Sequence, residues 1–201
     1  MNRKLRIIIA DDEPFLLSYM QETLIELGHD VVAQAANGRE LIDACREHQP
    51  DLVVTDIRMP EVDGIEAVLA ITAQQQLPII LVSAYHDADL LGRARSAGTM
   101  AYLVKPIQKA DLETAIAIAW QRYEEISDLR EEAAQLRQTL ADRKVIERAK
   151  GIVMRERGLS EEEAYQLLQK TSWDTNRRLA EVAEMIVVAQ SALRGGEKPG
   201  D

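Results

Sequence analysis

Leu52-Val53-Val54-Thr55-Asp56 is the stretch that decides how this chain folds. It is a short apolar run ending on a carboxylate. A second run, Leu5 through Ala10, ends the same way on Asp11-Asp12. Short apolar runs of this kind read as buried parallel strands. In an open parallel sheet the carboxyl ends of the strands line the ligand crevice. An aspartate there can be a plain turn residue or helix cap, but three at one edge repel one another unless a cation sits among them. Oxygen-only ligands favour a hard ion such as Mg²⁺, which uses few carboxylates plus phosphate oxygens and waters. Lys105-Pro106, after the run Ala101-Tyr102-Leu103-Val104, adds a second positive charge. The set suits a site that places a phosphoryl group on one carboxylate.

Working outward, strand-like and helix-like segments alternate through the first 122 residues. Strands are expected near 5–10, 30–35, 51–55, 78–83 and 100–104. Helices are expected near 14–27, 38–48, 64–76, 87–97 and from 108 onward. The alternation predicts an α/β fold, a doubly wound, five-stranded parallel sheet with right-handed crossovers. Gly28 stands where the first helix should stop, and Asn37-Gly38 forms a turn before the second. A flavodoxin-like order, 2-1-3-4-5, sets Asp11-Asp12 and Asp56 on adjacent strands at the switch point.

With these residues in place, the segment from Leu5 to about Arg122 resembles the CheY-like receiver domain of two-component response regulators. The matching residues are Ile9 to Glu13, Thr55 to Pro60, Asp63-Gly64, Ser83-Ala84, Ala97-Gly98 and Ala101 to Pro106. The resemblance implies that Asp56 is the phosphoacceptor, served by a sensor histidine kinase. It implies Mg²⁺ held by Asp11, Asp12, Asp56 and the backbone carbonyl of Arg58. Ser83 and Lys105 would bind phosphoryl oxygens, Tyr102 would be the switch aromatic, and Lys105-Pro106 would be cis.

Composition sets the outer bounds. The 201 residues suffice for an ordinary domain and a small second one. No stretch approaches the ~20 apolar residues of a membrane span, and Met1-Asn2-Arg3-Lys4 enters a strand without a signal-peptide core. Cys45 is the only cysteine, so no intrachain disulfide forms, and its helical spacing suits a buried spectator. These features predict a cytoplasmic protein. His29, His48 and His86 show no metal-ligand spacing and read as surface or loop residues. A net charge of −10 argues against non-specific coating of nucleic acid. Residues 143–194 depart from that balance, with ten basic and eight acidic side chains.

The last helix of the α/β region does not stop where a lone domain would end. Positions 112, 115, 119, 122, 126, 129, 133, 136 and 140 keep a 4-3 spacing and are apolar except Arg122. This fits a coiled-coil seam, weakened by its alanines. Beyond it come a basic helix from Asp142 to Arg157 and a capping box at Ser160-Glu161-Glu162-Glu163. That box opens a helix to about Ser172, and Thr175 or Asn176 is positioned to cap a third carrying Leu179, Val182 and Ile186.

This block resembles the ANTAR domain, an RNA-binding output module. The matching residues include Leu140, Arg143, Ile146, Ala149-Lys150-Gly151, Met154, Gly158, Glu163-Ala164-Tyr165, Leu168, Asn176, Leu179-Ala180 and Val182-Ala183. With a receiver in front, the whole resembles the PdtaR/AmiR type of antiterminator. Trp173-Asp174 departs from the pattern. The expected organisation is a receiver over 1–122, a coiled-coil connector over 112–142, an ANTAR domain over 143–194 and a disordered tail over 195–201.

Arg143, Lys150 and Arg157 recur every seven residues, Lys144, Arg148 and Arg155 line a neighbouring face, and Arg177 and Arg178 open the last helix. Such a run can be a plain solvated face; the ANTAR resemblance makes it the expected RNA contact. Tyr165 and Trp173 are the aromatic candidates for stacking on unpaired bases.

The expectation is a non-enzymatic, magnesium-dependent response regulator that binds RNA hairpins in nascent transcripts and prevents termination, with a phosphorylation-dependent homodimer. Two rivals stand beside it. Three short helices can form a DNA-binding helix-turn-helix, or the helical tail can serve only as a protein-interaction adaptor and dimeriser.

Overall fold

The computed structural model describes residues 3–84 and 99–195. It divides into two compact units, Met1–Asp128 and Leu129–Asp201. The helix expected near 87–97, together with His86 and Ala97-Gly98, lies outside the described residues, as does the tail beyond residue 195.

The first unit holds strands β1 (Arg6–Ala10), β2 (Asp30–Ala35), β3 (Leu52–Asp56), β4 (Ile79–Ser83) and β5 (Ala101–Val104). Around them lie helices α1 (Pro14–Glu26), α2 (Gly38–His48) and α3 (Gly64–Thr72), and the start of α4 (Lys109–Arg157). The sheet is parallel in the order β2-β1-β3-β4-β5. Its apolar strands are buried on both faces because alternate side chains enter different cores. Ile8, Val53, Ile79 and Leu81 pack with Leu41, Ile42, Ile65 and Val68 of α2 and α3. Ile7, Ile9, Val54, Ile80 and Val82 pack with Leu17, Met20 and Leu24 of α1, and with Leu112, Ala115, Ile116 and Ala119 of α4.

Local chemistry sets the boundaries. Asn37 caps α2 by accepting from the Glu40 N–H at 2.9 Å. Asp63 caps α3 in a box closed by Glu66. Helix α3 stops at Thr72 rather than near 76: the polar run Gln74-Gln75-Gln76 supplies no apolar anchor beyond Ile71, and the chain turns toward buried Leu77. Cys45 is buried, and burial pushes its thiol up to about 12.

The second unit contains the end of α4, α5 (Glu161–Thr175) and α6 (Leu179–Gly195). Ala149, Val153, Ala164, Leu168, Val182 and Ala183 form its small core. The Ser160/Glu163 capping box opens α5 as its sequence predicts. The end of α5 corrects the reading. The helix runs on to Thr175, and Asn176 closes it in a left-handed conformation (φ 51°) instead of capping α6. At the start of α6 the Glu181 carboxylate accepts from the Arg178 N–H at 3.2 Å.

Two further expectations change. Leu112, Ala115 and Ala119, the first three positions of the seam, are buried against the sheet of the first unit, so an exposed seam can begin only after them. Leu129, Leu136 and Leu140 are 64%, 58% and 67% exposed. His29 is not a surface residue: it is buried, and its Nδ1 accepts from the Leu5 N–H at 3.3 Å. Among the described residues no helix is long and apolar enough to cross a membrane.

Burial lowers the His29 pKa below its ordinary 6.5. The unfolded chain therefore binds this proton more readily, and stability falls as pH drops below 6.5 toward the folded value. Denaturant titrations at about pH 7 and about pH 5 should show this loss in the parent and a shallower loss in His29→Gln.

Candidate functional site

The carboxyl ends of β1, β3 and β5 bring Asp11, Asp56 and Lys105 together. Asp11 follows β1 and is fully buried; Asp56 ends β3 and is 4% exposed. The Lys105 ammonium, one residue beyond β5, lies 2.9 Å from Asp11 Oδ2 and 3.0 Å from Asp56 Oδ1. Glu13 reaches the same Nζ at 3.2 Å. Lys105-Pro106 is cis. Backbone donors complete the carboxylates: Glu13 N–H donates to Asp11 Oδ1 at 2.9 Å, and Arg58 N–H to Asp56 Oδ2 at 2.7 Å.

Two buried carboxylates share one close ammonium. Burial disfavours their charged forms and is the largest influence, holding both carboxyls above the ordinary 3.8 despite the lysine. For Lys105, burial works to lower the pKa, but hydrogen bonds to Asp11 and then Asp56 outweigh it, and the ammonium titrates above its usual range. Asp11 Oδ2 is buried, and its close polar partner is the Lys105 ammonium at 2.9 Å. Two buried carboxylates against one ammonium leave an excess of negative charge that fits a hard divalent cation.

The remaining candidates fall around this pair. Asp12 is exposed and joins none of these ion pairs. Among the described residues no three carboxylate, histidine or cysteine groups converge as a ready metal cluster. Ser83 is buried at the end of β4, next to Val82, the partner of Asp56 in the ladder. Tyr102 pairs with Leu81 in register and is half-buried against the core on the α2/α3 face. Sequence reasoning passed over Glu13, whose signal was its place in the same loop as Asp11. It also passed over why Gly64 must be glycine: a Cβ there would lie 1.9 Å from the Asp56 carbonyl oxygen.

In the second unit the basic residues separate into two sets. Lys150 is buried, 2.7 Å from Glu161 and 2.9 Å from Glu147, with its ammonium 5.8 Å from the Tyr165 ring centre. The hydrogen bond to Glu161, then that to Glu147, raises its pKa. These residues line a cavity of about 680 Å³ with Arg143, Ile146 and Asp142. Lys150 therefore does not extend an open basic row between Arg143 and Arg157, both of which are exposed. Arg178 pairs with Asp142 at 2.7 Å. The open row is the neighbouring one: Lys144, Arg148 and Arg155 are exposed, at positions a helix stacks on one face. Gly151 lies in that row, and a Cβ built there meets nothing within 4 Å.

The raised carboxyl of Asp56 carries a stability consequence. The folded state binds this proton more tightly than the unfolded chain. The associated stability is present below 3.8 and is lost as pH rises through the folded value. In metal-free buffer at neutral pH, Asp56→Asn should melt at a higher temperature than the parent. The gap should narrow when the pH approaches 3.8 and when Mg²⁺ is added.

Comparison with known proteins agrees with this geometry. Residues 7–117 match the family model of the response regulator receiver domain, and residues 134–187 that of the ANTAR domain. The chain is 39% identical over 182 residues to transcriptional regulatory protein PdtaR of Mycobacterium tuberculosis (strain H37Rv), covering 90% of this chain and 89% of that one. It is 40% identical over 104 residues to chemotaxis protein CheY of Bacillus subtilis, covering 51% and 87%. Among solved structures, the CheX-CheY-BeF3-Mg²⁺ complex from Borrelia burgdorferi aligns with TM-score 0.53 and 25% identity, covering 55% of this chain and 85% of that chain. A paired-carboxylate edge on a 2-1-3-4-5 sheet, followed by a separate helical unit, is thus matched along nine-tenths of the chain, and the protein belongs to the response-regulator family, in its class with a receiver domain and an ANTAR domain.

Proposed function

We propose that this chain is a phosphorylation-activated antiterminator. Asp56 accepts a phosphoryl group from a sensor histidine kinase, and the ANTAR unit then binds hairpins in nascent RNA and prevents termination. The observation that carries the reading is the Asp56 carboxylate, 3.0 Å from the Lys105 ammonium at the crevice edge, in a chain whose second unit is an ANTAR domain. A kinase phosphohistidine and a nascent transcript are both cytoplasmic partners, and the output is binding rather than catalysis.

In the transfer, an Asp56 carboxylate oxygen attacks phosphorus, a P–O bond forms, the P–N bond breaks and the imidazole leaves. Positioning and electrostatics carry such a step. Lys105 holds the incoming oxygens, and the Arg58 N–H fixes the orientation of the carboxylate. Asp11, Asp12, Asp56 and the Arg58 carbonyl would hold Mg²⁺. Bound there, the ion offsets the charge crowded between carboxylate and phosphoryl oxygens. Phosphorylation adds about two negative charges. The Ser83 hydroxyl turns toward a new oxygen, and Tyr102 moves into the space beside it.

At the output end, the Lys144, Arg148 and Arg155 row supplies phosphate contacts. Gly151, which no intrachain packing requires, lets a nucleic-acid backbone approach that row closely. Arg143, Arg157 and Arg177 extend the positive field. Because the net basic surplus of one unit is small, two units in a homodimer gain by avidity. The exposed Leu129, Leu136 and Leu140 form the seam that joins them. Binding of hairpin RNA, compared with duplex DNA at one salt concentration, tests this reading, and preference for the duplex would move it to a DNA-binding regulator.

Two variants test the steps separately. Asp56→Asn should reduce transfer of labelled phosphate to background; full labelling would mean another residue accepts the group. Leu129→Lys with Leu136→Lys should leave labelling normal, make the phosphorylated form sediment as a monomer, and weaken hairpin binding at least tenfold, about 1.4 kcal/mol.

A further inference from the structure

We infer that Trp173, with Arg177 beside it, is the stacking platform on which the ANTAR unit holds an unpaired RNA base. The inference rests on the RNA-binding reading above and adds which side chain contacts a base.

Trp173 is 79% exposed in the last turn of α5. A tryptophan ordinarily hides most of its ring. Here the core is made without it: Ala164 and Leu168 carry the inner face of α5, and the next inward positions are the half-buried Thr171 and Ser172. The other aromatic candidate has a partner already, since the Lys150 ammonium lies 5.8 Å from the Tyr165 ring centre. Trp173 has no ring or cation partner among the described residues.

The surroundings select the kind of ligand. Asp174, Thr175, Asn176, Arg177 and Arg178 are all exposed and polar. A protein-docking face spans several hundred Å² of contiguous apolar surface; one ring within a polar collar does not. The left-handed Asn176 folds the chain back, so that its N–H donates to the Trp173 carbonyl at 3.2 Å and the Arg177 N–H to the Ser172 carbonyl at 3.1 Å. This turn keeps the Arg177 backbone against the end of α5. The Arg177 Nη1 rests 3.1 Å from the Met185 sulfur on α6 and meets no carboxylate among the described residues. Its neighbour Arg178 is already paired with Asp142.

A bare aromatic plane and, four residues on across the backbone turn, a guanidinium that meets no carboxylate among the described residues offer a face for a base and a charge for a nearby phosphate. A base inside a duplex presents no free face, so the ligand is an unpaired nucleotide, as in a hairpin loop.

The test uses the full chain, phosphorylated with acetyl phosphate, in a Trp120→Phe background that leaves Trp173 as the sole tryptophan. The probes are an RNA hairpin pool of fixed stem and randomised loop, and the closed duplex of the same stem. Hairpins should quench Trp173 emission and the duplex should not. Trp173→Ala should weaken hairpin binding about fivefold or more with an unchanged salt slope, while Trp173→Tyr stays within about threefold of the parent. Arg177→Met should lower the salt slope by about one unit. Absence of quenching, with equal affinity in Trp173→Ala, overturns the proposal. So does a Trp173→Ala chain that loses self-association in sedimentation but keeps its RNA affinity, since the ring would then serve a protein contact. A parent chain that retains no hairpin from the pool overturns the RNA-binding reading itself, a result distinguishable from the other two.

Discussion

Two buried carboxylates and one ammonium set the terms for the first unit. Asp11 and Asp56 lie 2.9 and 3.0 Å from the same Lys105 nitrogen, and that proximity requires β1, β3 and β5 to end at a common edge. Only a parallel sheet puts three strand ends there with apolar runs buried beneath them. The constraint extends into the loops. Gly64 has no Cβ because the Asp56 carbonyl occupies its place, and the Gly64 N–H donates to Ile57 at 2.8 Å, which starts α3 directly beneath the site. The arrangement is not one of maximal stability. Burial holds both carboxyls above their ordinary range, so the folded unit carries charge at this edge that a cation or a changed charge state would relieve. A site with that excess is biased to respond to chemistry arriving there.

Helix α4 shows how one amphipathic pattern can serve two purposes. Its 4-3 spacing is continuous from residue 112, yet Leu112, Ala115 and Ala119 meet the sheet while Leu129, Leu136 and Leu140 stay exposed. Periodicity records that a face is apolar; it does not record what covers it. On the proposed reading, the exposed stretch is a weak seam, and weakness is what a switch needs. Moving a two-state equilibrium from mostly off to mostly on takes about 5.5 kcal/mol of differential stabilisation. A tight zipper would already have committed the equilibrium. Alanine at 133, flanked by leucines, keeps the seam within reach of such a bias.

Much of the first unit was legible in the sequence because buried parallel strands have few alternatives. All five strands fall within about two residues of their expected spans, which is the usual uncertainty of boundaries, and the convergence of Asp11, Asp56 and Lys105 follows from them. What was not legible depends on contacts between distant segments. His29 follows a helix-ending glycine and is the loop residue that placement suggests, but it is buried, with its Nδ1 accepting from the distant Leu5 N–H. Asn176 is a good helix starter by type, yet its tolerance of the left-handed region made it the end of α5. Lys150 shares a seven-residue spacing with Arg143 and Arg157, but no count of charges reveals that Glu161, from the next helix, reaches it at 2.7 Å.

The fate of Lys150 bears on how the second unit would read RNA. Ten basic residues against eight acidic ones already leave a small surplus, and the structure commits Lys150 to Glu147 and Glu161 and Arg178 to Asp142. Each phosphate contact releases counterions and steepens salt dependence; a unit whose basic residues exceed its acidic ones by so little gains limited affinity from that source. The remainder must come from contacts that salt does not screen and from the pairing of two units. Stacking on an aromatic plane is such a contact, worth about 1–3 kcal/mol per base. Dimerisation multiplies whatever one unit supplies, because the second engagement becomes intramolecular. A weakly charged reader therefore needs both a stacking face and a partner copy. On the proposed reading, RNA affinity would then depend on the association state of α4 more tightly than with a strongly basic surface, since such a surface would hold RNA whether or not the receiver had been phosphorylated.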